Sequence, residues 1–237
     1  MKLSSKELKR RSRETLTGHY GTPMLAFVIM ELIILIINSP FQLSLQNNPG
    51  TFQTVISLLA SLIISLITVV LSAGHTYIHI NLARKKEARL SDLFYFFTKR
   101  PDRFILSGLL LFLIFLPIML PAIICTNMAL FRNTPSLYIT CVFLWAVTII
   151  PVVYLSLSYQ LVTYLLIEQP DDRIIDVFRE SRHLMKGQKG RLLYLSLSFI
   201  GMSLLAICSF GIGFLWVNPY QSQTLIAFYR NVTGEID

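Results

Sequence analysis

Glu31 is the one acidic residue, of 13 Asp and Glu, that falls in the middle of a long apolar run. A carboxylate inside a bilayer is costly to keep charged, and such a residue marks an ion or proton pathway by default. On the next apolar run Ser57, Ser61 and Ser65 recur every four residues, with Thr68 close to the same helical face. Set at one depth, Glu31 and this serine stripe form a candidate intramembrane polar site. Two readings fit it: a proton-coupled or cation site, or a neutral, hydrogen-bonded carboxyl that fixes helix packing. His75 and His79 stand four apart, a spacing that can hold a metal. No Cys, Asp or Glu lies near them and Tyr77 stands between, so they read as interfacial polar and aromatic residues. Cys125, Cys141 and Cys208 form no CxxC pair and read as isolated, buried small apolar residues. Phosphate-binding glycine loops, GxSxG elbows, HExxH and acidic metal clusters are absent from the sequence. No catalytic residue, cofactor or metal ligand is therefore expected, and no enzymatic activity.

The elements that must position these residues are membrane helices. Hydrophobic residues make up 54% of the 237 and charged residues only 14%, against about 25% charged in average soluble domains. Mean hydropathy is +0.60. A spanning helix needs about 20 mostly apolar residues, and 21–41, 52–73, 104–125, 137–157 and 192–210 qualify. A sixth run, 212–229, is interrupted by Asn218, Pro219, Tyr220 and Gln221. The first 20 residues are polar and basic without a small-residue cleavage pattern, so the first span reads as an uncleaved anchor. Pro117, Pro121 and Pro151 fall inside spans, where freed carbonyls can line a cavity.

The net charge of +8 decides the orientation. Nineteen of the 21 Lys and Arg lie in three segments: before the first span, between the second and third, and between the fourth and fifth. The two intervening connections hold only Arg132. This is the positive-inside distribution, with the amino terminus in the cytoplasm. Basic blocks at alternate loops report topology, and no nucleic-acid partner is expected. Arg10, Arg11, Arg13, Lys85, Lys86, Arg100, Arg103, Arg182, Lys189 and Arg191 are candidate contacts to anionic lipid headgroups.

The three basic segments are also alike. Arg89-Leu-Ser-Asp-Leu-Phe94 matches Arg173-Ile-Ile-Asp-Val-Phe178, and Ser12-Arg13, Gly18 and Gly21 match Ser181-Arg182, Gly187 and Gly190. The offsets of 84 and 169 residues agree on one period. They predict one membrane domain over 1–237 made of repeats 1–83, 84–168 and 169–237, each a cytoplasmic helix followed by two spans. The fold class is thus an all-α integral membrane protein with six transmembrane helices and three short cytoplasmic amphipathic helices. Leu90, Leu93, Phe94 and Phe97 line one helical face, as do Ile174, Val177, Phe178, Ser181 and Met185. Pro170-Asp171-Asp172 supplies a start for the third helix and Gly187 a stop. The first, 4–17, is weakly amphipathic through Leu8 and Leu16. Such helices lie at the headgroups or cap the bundle, and the two are compatible. The repeat requires 212–229 to return to the cytoplasm, with Gly211 and Gly213 helping the outer turn.

Tyr159-Gln-Leu-Val-Thr-Tyr164, Arg179-Glu-Ser-Arg-His-Leu-Met-Lys-Gly187, Phe210-Gly-Ile-Gly-Phe-Leu-Trp-Val-Asn-Pro-Tyr220 and Ala227-Phe-Tyr229 resemble a family of bacterial integral membrane proteins. Lys6-Glu-Leu-Lys9 and Leu16-Thr-Gly18 ahead of the first span extend the resemblance over essentially the whole chain. The family is domain of unknown function nine-seven-five, common in Gram-positive bacteria. It is distantly similar to the membrane domain that accompanies some glycerophosphodiester phosphodiesterases, whose catalytic domain has no trace here. The resemblance implies a multipass protein of the bacterial cell membrane and supplies no catalytic residues. Two spans plus a surface helix, three times over, is also similar to the architecture of mitochondrial carriers, without their Pro-x-[Asp/Glu]-x-x-[Lys/Arg] signature. Expected is an envelope protein that binds membrane lipids, a membrane-protein partner or a second copy of itself. The alternative is a permease for a small or amphiphilic solute, supported by Glu31, the serines and the prolines. A lipid-modifying enzyme has only the phosphodiesterase association.

Overall fold

The computed structural model describes residues 3–45 and 50–236, and these are helical with no strand among them. Met1, Lys2, residues 46–49 and Asp237 lie outside the described residues. Five helical stretches are long and apolar enough to cross a membrane: Gly21–Gln42, Thr51–Ala83, Pro101–Arg132, Pro135–Glu168 and Lys189–Cys208. The helices are α1 (Ser5–Leu16), α2 (Gly21–Leu45), α3 (Thr51–Ala83), α4 (Tyr95–Thr98) and α5 (Pro101–Arg132). After them come α6 (Pro135–Tyr159), α7 (Val162–Glu168), α8 (Ile174–Leu184), α9 (Lys189–Leu197), α10 (Ile200–Cys208) and α11 (Phe214–Val232). Pro117, Pro121 and Pro151 sit inside helices that run on through them. Pro117 and Pro121 are exposed on α5.

The core lies at one end of the molecule. The carboxy-terminal third of α3, α7, one face each of α8 and α9 and most of α11 are buried together, with Phe228, Tyr229, Leu161, Leu165, Met185 and Leu192 almost inaccessible. Away from this end α2, α3, α5, α6 and α10 expose apolar side chains such as Leu35, Ile63, Phe131, Val142 and Leu205. That is the surface a helix shows to hydrocarbon.

Each short helix docks on protein. α1 starts at Ser4, whose Oγ accepts the Glu7 N–H at 3.3 Å. It buries Leu8, Ser12 and Leu16 and packs mainly on α11. A 3₁₀ turn, Leu90–Phe94, packs on α3. α8 packs on α6 and α7 through Val177, Phe178 and Ser181, whose hydroxyl donates to the Ser158 carbonyl at 2.9 Å. A left-handed residue separates each short helix from the helix that follows: Gly18 (φ 80°), Arg100 (φ 54°) and Gly187 (φ 76°).

The second short segment departs from the predicted helical stripe. Its first turn is 3₁₀, so residues three apart share a face. Leu93 and Phe96 are buried, while Leu90, Phe94 and Phe97 are exposed. The third begins after Arg173 instead of Pro170.

α11 carries Asn218, Pro219, Gln221, Ser222, Gln223 and Thr224, which lower its hydropathy below that of the five long helices. Its polar residues face protein: Gln223 and Thr224 are fully buried. A left-handed pair, Phe210 (φ 53°) and Gly211 (φ 87°), turns the chain from α10 into α11. The far end of α11 then meets the ends of α3 and α7 and the start of the chain. Arg230 donates to the Ala83 carbonyl at 2.8 Å, the Tyr229 hydroxyl donates to Glu168 at 2.7 Å, and Asn231 Oδ1 accepts the Leu3 N–H at 3.2 Å.

Candidate functional site

Glu31 and the serines do not form one site. Phe27 on α2 packs near His75 on α3, with ring centroids 6.4 Å apart, and Ala26 and Met30 pack with Leu71 and Ile78. Glu31 is therefore level with about position 71. Ser65 and Ser57 lie roughly 9 and 21 Å further along α3 at 1.5 Å per residue. Glu31 is exposed, with no hydrogen bond or ion pair among the described residues. Ser61 and Ser65 donate to their own helix, to the Ser57 and Leu62 carbonyls at 2.8 and 2.7 Å. Only Ser57 is buried, its hydroxyl without a partner.

The chemistry concentrates at the buried end instead. α1, the start of α2, the end of α3 and α11 enclose an open cavity of about 980 Å³. Arg10, Arg11, Lys85, Lys86 and Arg230 line it, opposed by Glu14 and Glu87. Ser12, Thr15, Thr17, Thr22 and Gln223 add hydroxyl and amide groups. Lys85 reaches it because α3 ends in a left-handed turn at that residue (φ 56°), closed by the Lys86 N–H donating to the Asn81 carbonyl at 2.8 Å.

Some of these cations are neutralised and some are not. Arg10 pairs with Glu7 and Glu14 at 2.6 and 2.7 Å, and Arg11 with Glu7 at 3.1 Å. Hydrogen bonds from Arg10 and Arg11 hold the Glu7 carboxyl down at about 2. Arg230 pairs with Glu235 at 2.9 Å, and Glu235 also takes Arg84 at 2.5 Å. Arg84 binds Glu168 at 2.7 Å as well, so the ends of α3, α7 and the chain are joined by charge. Lys85 and Lys86 are exposed and make no ion pair among the described residues. They are the uncompensated positive charge of the cavity.

Beneath the cavity Gln223 leads inward to His79, whose Nδ1 lies 2.8 Å from Gln223 Oε1. With Oε1 accepting, Nδ1 carries the proton and Nε2 is left as an acceptor. His75 packs edge-on at 4.8 Å between ring centroids, and Nε2 of both rings is buried without a partner. The histidines are thus core residues, not the interfacial ones expected. No group of three metal-ligating residues occurs among the described residues.

The other candidate lipid contacts divide. Arg103 is buried and donates to the Gln169 and Asp172 carbonyls, while Arg100 meets the Pro170 carbonyl and Asp171. Arg191 donates to the Leu3 carbonyl and Asn231 Oδ1, both at 2.8 Å, and lies over the Phe228 ring. These three tie the fold together. Lys189 lies over the Tyr154 ring at 3.3 Å, and Arg13 and Arg182 are exposed. Sequence reasoning named Arg10, Arg11, Lys85 and Lys86 but not their convergence with Gln223 and Arg230. It also read the cysteines as isolated. The structure places Cys125 and Cys141 with their sulfurs 2.9 Å apart, while Cys208 is exposed and alone.

A family described as protein of unknown function (DUF975) matches residues 1–235. No curated protein and no solved structure matches the chain. The more distant likeness to phosphodiesterase membrane domains is not shown by these matches.

Proposed function

The chain belongs to the DUF975 family of proteins of unknown function, and from that premise we propose that it is a non-enzymatic membrane protein that binds anionic lipid headgroups at its cytoplasmic face. The carrying observation is the 980 Å³ basic cavity with Lys85 and Lys86 unpaired on its wall. A phosphate-bearing headgroup supplies the missing negative charge, and the Thr22 hydroxyl and Gln223 amide supply donors beside it, since Thr15 and Thr17 already donate to the Arg11 and Arg13 carbonyls. Acyl chains then continue along the apolar faces of α2 and α3. The permease alternative is disfavoured by Glu31, which faces outward, unpartnered, away from the cavity.

The reading places the cavity inside through topology. Six passes with both termini cytoplasmic, in a bacterial cell membrane, agree with the basic segments and with α11 returning to Ala83, Glu168 and Leu3. A threefold repeat is supported by the docking order. The 3₁₀ turn packs on α3, α8 on α6 and α7, and α1 on α11, so each short helix rests on the last long helix of the unit before it and the ring closes.

The test is lipid retained on purification. Each basic residue near a membrane surface contributes about 1 kcal/mol to anionic lipid binding. Lys85→Ala with Lys86→Ala should therefore reduce retained anionic phospholipid, counted by mass spectrometry, by about 30-fold. Zwitterionic lipid should be unchanged, as should a Lys186→Ala control outside the cavity. Equal anionic lipid on the double variant and the parent would defeat the proposal.

A further inference from the structure

Cys125 on α5 and Cys141 on α6 face each other as free thiols with their sulfurs 2.9 Å apart. Both are at least nine-tenths buried, in a small cluster with Ala129, Leu137 and Leu144 that is separate from the main core. That cluster holds only residues of α5 and α6. Around it the hairpin shows its apolar surface outward, through Phe131, Ile139, Val142 and Phe143. The end of this hairpin is therefore held by its own two helices, with a left-handed turn at Asn133 (φ 48°) between them.

The pair also sits at a particular depth. α5 has 32 residues, roughly 48 Å at 1.5 Å per residue, against a hydrocarbon thickness of about 30 Å. Its first apolar residues follow Arg103, so the hydrocarbon ends about twenty residues later, near Cys125. Polar side chains mark the same level: Thr126, Asn127 and Thr140. The Trp145 indole N–H donates to the Thr126 hydroxyl at 3.0 Å, as an interfacial tryptophan does. Two facing thiols at the outer boundary meet oxidants that the cytoplasm lacks.

We propose that Cys125 and Cys141 are joined in the mature protein by a disulfide that staples the outer end of the α5–α6 hairpin. The two thiols lose two protons and two electrons and one S–S bond forms. A disulfide-carrying oxidoreductase outside the membrane accepts the electrons, its own disulfide becoming a dithiol. The exchange takes place as the hairpin forms, before Ala129, Leu137 and Leu144 close over the sulfurs. The oxidant's location rests on the topology proposed above; the bond itself rests on the sulfur contact.

The experiment counts thiols on the full chain in membranes from aerobic cells. Free thiols are blocked with N-ethylmaleimide under denaturing conditions, disulfides are reduced, and the newly freed thiols take a polyethylene-glycol maleimide. Two mass tags are expected, and none on Cys125→Ser or Cys141→Ser; Cys208→Ser keeps two. No tag on the parent overturns the proposal, as does a pair of tags that survives Cys141→Ser. Orientation is read separately. In a chain with all three cysteines replaced by serine, Ser136→Cys should react with an impermeant maleimide on intact cells. Two tags with an unreactive position 136 would keep the disulfide and remove the topology.

Discussion

At the scale of single residues, the informative positions are those where packing gives a side chain its meaning. Gly74 is one. A Cβ built there would stand 2.0 Å from the Leu93 carbonyl oxygen, so the 3₁₀ turn lies directly on the α3 backbone. Nothing flexible can yield, because the obstacle is main chain. Gly74→Ala should destabilise the protein by about 1–3 kcal/mol, the usual cost of overpacking, despite alanine's better helix propensity. Unfolding in detergent with Gly201→Ala as control, a site where nothing lies within 4 Å, checks this; equal stability of the two would refute it. Glu31 shows the opposite case. Its type and position in an apolar run were legible, yet the direction it faces depends on how α2 and α3 register against each other. A carboxylate one helical step round would have met α3. Lys85 and Lys86 were legible as a basic loop, but their role depends on α1, some 75 residues away in sequence, standing across from them. The burial of Cys125 and Cys141 was legible but their pairing was not: it follows from the tight turn at Asn133, which no Cys motif announces.

At the scale of elements, the first and third short helices follow from amphipathic spacing, while the second forms a 3₁₀ turn with a different buried face, and the partners of all three do not follow from sequence. Periodicity locates a buried face and leaves open whether lipid or protein covers it. Here protein does, and the chain's own ends complete the covering. The tail after α11 folds back, with Asn231 Nδ2 donating to the Ile236 carbonyl at 2.9 Å and Glu235 held by Arg230 and Arg84. Partial burial alone would raise the Glu235 carboxyl, but the hydrogen bonds from Arg230 and Arg84 outweigh it and hold the group below its ordinary range. A depressed carboxyl contributes its stability above the unfolded value of about 4.3 and loses it as pH falls through the folded one. The tail should therefore stay docked at neutral pH and loosen in acid. A nitroxide on Ile236→Cys, in a chain whose native cysteines are serines, should gain mobility between pH 7 and pH 3. Glu235→Gln should be mobile at both. A label equally restrained across that range and in the variant would show that the charge cluster does not hold the tail.

At the scale of the whole molecule, the basic segments and the helix ends converge on one description. Charge was legible because the clustering of Lys and Arg is a property of the sequence alone, and in the proposed topology insertion sorts those clusters to one side. α11, the sixth pass of the proposed topology, was harder to read because its polar residues, Gln223 and Thr224, are buried against protein and dilute the apolar run. A helix shielded from lipid need not be apolar all round. Five passes would put the two ends of the chain on opposite sides of the bilayer, about 30 Å or more apart. Yet Asn231 bonds Leu3, and Arg191 bridges both at 2.8 Å. The six passes we propose put both ends on one face, where such contacts can form. A fluorescent protein that matures only in the cytoplasm, fused after residue 237, should therefore be bright, and alkaline phosphatase there should be inactive. Truncating the chain after Cys208 before fusion should reverse both signals, since α11 is then missing and the junction is left outside. A phosphatase active on the full-length fusion would leave five passes, and the contacts between Leu3, Arg191 and Asn231 could not then form in the membrane.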